Sequence, residues 1–112
     1  MCDNGGEKRP AVPAGLVRYA LHVHLRLGLD IVMERDRHKR ASRIAVPYNT
    51  GRRDLFRYEF HRRGNQIAAW AVGRTARRCR LTRKQERELL GLYHAVDEAA
   101  RRNNRMVLRL CT

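Results

Sequence analysis

Arginine and lysine recur in short runs along this chain, and a guanidinium is the side chain best shaped to grip a phosphate with paired hydrogen bonds. The densest run gathers Arg74, Arg77, Arg78, Arg80, Arg83, Lys84 and Arg87, with one acid, Glu86, inside it. A second holds Arg35, Arg37, Lys39 and Arg40, and a third holds Arg52, Arg53, Arg57, Arg62 and Arg63. One such run alone reads most simply as a solvated face. Three of them with few acids between are harder to dismiss. Over the whole chain 25 basic residues face 11 acidic ones, a net +14 on 112 residues, and 22 of the basic residues are arginine. A GC-rich coding sequence would trade lysine for arginine, but it would not create the excess. The isoelectric point near 11.3 lies above the basic range that marks nucleic-acid-binding domains. The chemistry expected of these residues is phosphate-backbone recognition of RNA or a duplex, driven by counterion release and hence sensitive to salt.

Other constellations are weaker. His22 and His24, read as alternate residues of a strand, would stand about 7 Å apart on one face. Two imidazoles at that distance could serve as acid and base in metal-free RNA cleavage, or as metal ligands. Only Asp30 follows them nearby, so a polar strand face is the simpler reading, and no catalytic residue, metal or cofactor is expected. Cys2, Cys79 and Cys111 are widely spaced and form no C-x-x-C pair. They read as reduced thiols of a cytoplasmic or nuclear protein, Cys79 as a buried one. The aromatics Tyr48, Phe56, Tyr58, Phe60 and Trp70 recur at strand spacing, which favours core positions over a base-stacking platform.

The elements that must position these residues follow from pattern. Residues 1–14, rich in Gly and Pro, read as a flexible arm, and 15–112 as a single basic α+β domain. From Val17 to Met33 every second residue is apolar. That alternation predicts a strand with one buried face, bent near Gly28. Residues 34–42 form a charged hairpin tip, in which Glu34 and Asp36 pair with neighbouring arginines, and Arg43 to Tyr48 is the return strand. Asn49 to Gly51 marks a turn. Leu55 to His61 and Gln66 to Val72 form a second hairpin about Arg62–Asn65, followed by a basic connection or short strand to Leu81. Thr82 and Gln85 make a capping box for a helix with an apolar stripe from Leu89 to Ala100. Asn103 and Asn104 stop it, and Met106, Leu108 and Leu110 suggest a final short strand. The expected fold is an antiparallel sheet of two hairpins packed against one C-terminal helix. The order from Leu55 to Arg102 is similar in layout to the small sheet-and-helix DNA-binding modules at the N-termini of tyrosine recombinases, a likeness of architecture that carries no residue roles.

The function expected is a small non-enzymatic nucleic-acid-binding protein, an accessory or regulatory factor of a virus, phage or mobile element. Its rivals are a module docking on an acidic protein surface and a histidine-dependent ribonuclease. A homodimer through sheet edges is a further expectation. No apolar run approaches the roughly 20 residues of a membrane span.

Overall fold

Short runs of alternating apolar residues build the strands. Among them are Ile44 and Val46, Tyr58 and Phe60, and Ile67, Ala69 and Ala71. The structure is a computed structural model; it describes residues 9–48 and 55–111, with side chains as far as Asn103. The chain runs α1 (Leu16–Leu25), β1 (Val32–Arg35), β2 (Ala41–Pro47), β3 (Leu55–Arg63), β4 (Gln66–Gly73), β5 (Ala76–Cys79) and α2 (Arg83–Cys111). The strands pair antiparallel in sequence order, β1-β2-β3-β4-β5. The α+β class and the sheet packed against a C-terminal helix are therefore as expected, with a fifth strand where a basic connection was the alternative.

The long first strand is not formed. Residues 16–25 are helical, and the strand that follows is only four residues long. The helix buries Leu16, Val17, Ala20 and Val23, which are spaced i, i+1, i+4 and i+7. Two of these, Leu16 and Ala20, fall between the apolar positions of the alternating register, so the two periods overlap. Gly15 (φ 85°) and Gly28 (φ 66°) bracket the helix in the left-handed region that glycine tolerates best. The chain does reverse near Gly28, as part of a turn out of a helix rather than a strand bend. The helical choice leaves Tyr19, Leu21, Leu25, Leu27 and Leu29 exposed.

The final strand is also absent, because α2 continues to Cys111. Two asparagines cost a helix less than about 1 kcal/mol each, and the Arg, Met and Leu residues after them are good helix formers. At its start α2 carries the expected box. The Gln85 N–H donates to Thr82 Oγ1 at 3.0 Å and the Thr82 N–H donates to Gln85 Oε1 at 2.9 Å. Of the expected arm, Pro10–Pro13 is docked. The Arg80 N–H donates to Pro10 O, the Val12 N–H to Arg80 O, and the Val12 side chain is buried.

One face of the sheet and both helices enclose the core. Ile44, Val46, Phe60, Ile67 and Ala69 meet Leu16, Val23, Leu89, Leu92, Tyr93 and Val96. The buried Tyr93 hydroxyl donates to Phe60 O at 2.6 Å, tying α2 to the central strand. Tyr58 and Phe60 are core residues, as is Cys79, whose thiol burial pushes above its ordinary range.

Candidate nucleic-acid interface

Side chains alternate across a strand. When Ile44, Val46, Tyr58, Phe60, Ile67 and Ala69 face the helices, the residues between them face away. Register aligns these in rows. Arg43 lies opposite His61, which lies opposite Ala68. Ala45 lies opposite Glu59, Glu59 opposite Trp70, and Trp70 opposite Arg78. Pro47 lies opposite Arg57 and Arg57 opposite Val72. No described helix packs on this second face. It carries Arg43, Arg57, His61, Arg63, Trp70 and Arg78 around one acid, Glu59.

Glu59 is the centre of the arrangement. Its side chain is 6% exposed, and three cationic or protonatable groups surround it. Arg57 Nε–H donates to Oε2 at 2.7 Å, and His61 Nε2 lies 3.1 Å from Oε1, which places that ring proton on Nε2. Arg43 Nε lies 3.2 Å from Oε1 yet makes no aligned hydrogen bond, so that contact is one of charge. Burial alone would raise the Glu59 carboxyl. The hydrogen bonds from His61 and Arg57 and the charges of Arg43 and Arg57 outweigh it and hold the carboxyl below its ordinary 4.5. A depressed carboxyl stabilises the fold above pH 4.5, and that contribution is lost as pH falls below 4.5 through the folded value. Glu59→Gln is therefore expected to lose less stability than the parent between pH 5 and pH 3, read as the shift in urea midpoint.

Trp70 is half-buried. Arg78 lies over its ring at 5.6 Å from the centroid, and the His61 ring stands 6.4 Å away. Beside them a groove of about 670 Å³ opens, lined by His61, Arg63, Gln66, Trp70, Arg78 and Glu86. Among the described aromatics Tyr19, Phe56 and Trp70 lie outside the core and its fringe, Tyr19 on α1 against Tyr48, which packs edge-on between it and Tyr58.

The residues expected from sequence to contact phosphate are divided by the fold. Arg35, Arg37, Lys39 and Arg40 gather at the β1–β2 turn. There the Asp36 carboxylate accepts from the His38 and Arg40 N–H groups and pairs with Arg40. The Arg40 N–H foremost holds that carboxyl below its usual range. Lys39 takes a positive φ of 63° to close the turn. Arg52 and Arg53 lie outside the described residues. Arg63, Arg74, Arg77, Arg78, Arg80, Arg83 and Lys84 are exposed. Arg77 and Arg78, adjacent in sequence, point to opposite faces of β5. Arg77 lies opposite Ala71 and lines a cleft with Tyr58 and Pro10, while Arg78 joins Trp70.

Arg62 stands apart from that set. It faces the helices with its side chain 13% exposed. One Nη donates to Ala41 O at 2.7 Å and to Asp97 Oδ2 at 3.1 Å, and the guanidinium sits 4.5 Å from the Tyr93 ring centre. Asp97 Oδ1 in turn accepts the buried Ala41 N–H at 2.8 Å. Arg62 therefore anchors α2 to the β2–β3 ladder.

Arg43, His61 and Trp70 were not among the residues expected to bind, and Arg57 was expected only as one of a turn cluster. The signal was present in the alternation Arg57, Glu59, His61, Arg63, which puts four charged or polar side chains on one strand face. The two histidines of the first segment separate. On α1, positions two apart point about 200° away from each other; His24 lines a cavity with Asp30 and Val96, and His22 is exposed. The shared strand face that motivated a ribonuclease reading does not exist. Among the described residues no three His, Cys, Asp or Glu side chains group as metal ligands. Nor is any described helix long and apolar enough to cross a membrane. Comparison of the chain with protein-family models, curated proteins and solved structures finds no match.

Proposed function

We propose that this protein binds double-helical DNA through the uncovered face of its sheet, without catalysis. The observation that carries the reading is the set Arg43, Arg57, His61 and Arg78, brought from three strands onto one face of a chain of net charge +14. Strands lie about 4.8 Å apart, so β2 to β4 span about 10 Å, within a B-form major groove about 12 Å wide. Arg43 and Arg78, on strands three steps apart, stand about 14 Å from each other and suit the two phosphate walls. Arg57 and His61 lie between them, at the base edges. The A-form major groove is too deep and narrow for side chains to read. Single-strand binding draws on several stacked aromatics; here Tyr58 and Phe60 belong to the core and Trp70 already carries Arg78.

Fluorescence anisotropy with a 20-base-pair DNA, the matching RNA duplex and a single-stranded RNA tests this at 50 and 200 mM salt. The expected result is tightest binding to duplex DNA, with a loss of roughly 10³-fold in affinity across that salt range if six or more phosphates are contacted. RNA binding as tight as DNA binding would overturn the assignment of the ligand, and no binding at 50 mM the assignment of the function. The second reading, a protein-interaction module, is favoured by the exposed apolar residues Leu21, Leu25, Leu27 and Leu29, which a nucleic-acid partner would not use.

A further inference from the structure

A carboxylate in the middle of a phosphate-binding surface is repelled by every phosphate that approaches. Glu59 occupies that position, and the core does not require it, because its side chain leaves the sheet on the face away from the helices. A β-branched residue there would suit the strand better. What the acid does is order cations. Arg57 is held by Nε alone among the described residues, which leaves its two terminal nitrogens available to donate to a ligand. Arg43 and His61 are drawn to the other oxygen. A free arginine loses much rotamer freedom when a ligand immobilises it, and a side chain ordered in advance does not lose it again.

We infer that Glu59 is a positioning residue of the DNA interface: it holds the Arg57 guanidinium, with Arg43 and His61 beside it, in the orientation that receives the ligand. This rests on the reading of the open face as the DNA-binding face. Its consequence runs against simple charge counting. Removing the negative charge should weaken binding to DNA, not strengthen it.

The test is a double-mutant cycle of Glu59→Gln and Arg57→Ala, read as affinity for the 20-base-pair DNA at 50 mM salt with melting curves for each variant. Glu59→Gln alone is expected to lose roughly tenfold in affinity, the scale of re-ordering one or two long side chains. In the Arg57→Ala background the same substitution is expected to cost little, because its effect acts through Arg57. Glu59→Asp keeps the charge on a shorter stem; it is expected to bind between parent and Gln variant, and it stands in should the Gln variant fail to fold. Affinity unchanged or raised in Glu59→Gln overturns the inference, as does an equal loss with and without Arg57, or parent-like affinity in the Asp variant when the Gln variant is unfolded. A parent protein that binds no DNA under these conditions instead overturns the functional reading on which the inference stands.

Discussion

The triple variant Arg43→Ala, Arg57→Ala, Arg78→Ala is expected to lose about 100- to 1000-fold in affinity for duplex DNA while remaining folded. A base-edge arginine is worth about 1–3 kcal/mol and each phosphate contact adds about one unit to the salt slope, so with Arg43 and Arg78 on phosphates the slope should fall by roughly two as well. The control removes the same charge elsewhere. Arg35→Ala, Arg37→Ala, Arg40→Ala takes three cations from the β1–β2 turn, at the rim of the sheet. It should weaken binding less than about tenfold, because charges outside direct contact act only through a field screened beyond about 8–10 Å. Anisotropy titrations of both triples separate placement from total charge. Equal losses would mean that net charge alone, and not the sheet face, governs binding.

Asp97→Ala is expected to be the most destabilising single polar substitution. It strips the partner from Arg62, whose side chain is 13% exposed, and the acceptor from the Ala41 N–H, which is fully buried. Breaking one side of a buried pair costs about 3–5 kcal/mol. A domain of this size holds about 5–15 kcal/mol in all, so about a fifth or more of the stability is at stake. Urea unfolding at pH 7 measures it. Replacing both partners, Asp97→Leu with Arg62→Met, should recover much of the loss, since two apolar groups leave no stranded charge. A loss below about 1 kcal/mol for Asp97→Ala would show that Arg62 reaches water instead and that the anchor between α2 and the β2–β3 ladder is weak.

Much of this fold is legible in the chain because local and tertiary preferences agree. From Arg57 to Val72 the alternation has one register about a Gly-Asn turn, while a bulge between Leu55 and Arg57 leaves Phe56 exposed and out of line with Tyr58 and Phe60. The helix announces itself by the Thr82–Gln85 box and one apolar stripe. The first segment is different. Val17, Val23 and Ile31 satisfy both the strand period and the helix period, and only the even-numbered Leu16 and Ala20 break the tie. The strand reading also promised no exposed leucines, whereas the chain accepts four of them, Leu21, Leu25, Leu27 and Leu29, in exchange for a helix against the core. At the other end, Asn103 and Asn104 carry too small a penalty to stop a helix already more than about five turns long.

The proposed binding face was legible in part. Runs of arginine are visible as runs, and most lie on the surface. Runs cut across faces, however. Arg77 and Arg78 part company on β5, and Arg62 turns into the protein while Arg63 stays outside. The residues that share a surface come from four strands, and only the pairing register aligns Arg43 with His61 and Trp70 with Arg78. Glu59 illustrates the limit most sharply. In sequence it is one acid among basic residues; in the fold it is the group that holds three of them.

The chain has a single tryptophan, Trp70, and it lies in the middle of this face. Its emission therefore reports directly on whether DNA binds at this face. The decisive measurement titrates the parent protein with the 20-base-pair DNA while anisotropy of the DNA and emission of Trp70 are followed together, with acrylamide quenching before and after saturation. The account predicts that Trp70 emission changes in step with anisotropy and that the bound protein is markedly less quenched. Binding seen by anisotropy with Trp70 emission and quenching unchanged would place the DNA elsewhere and contradict it.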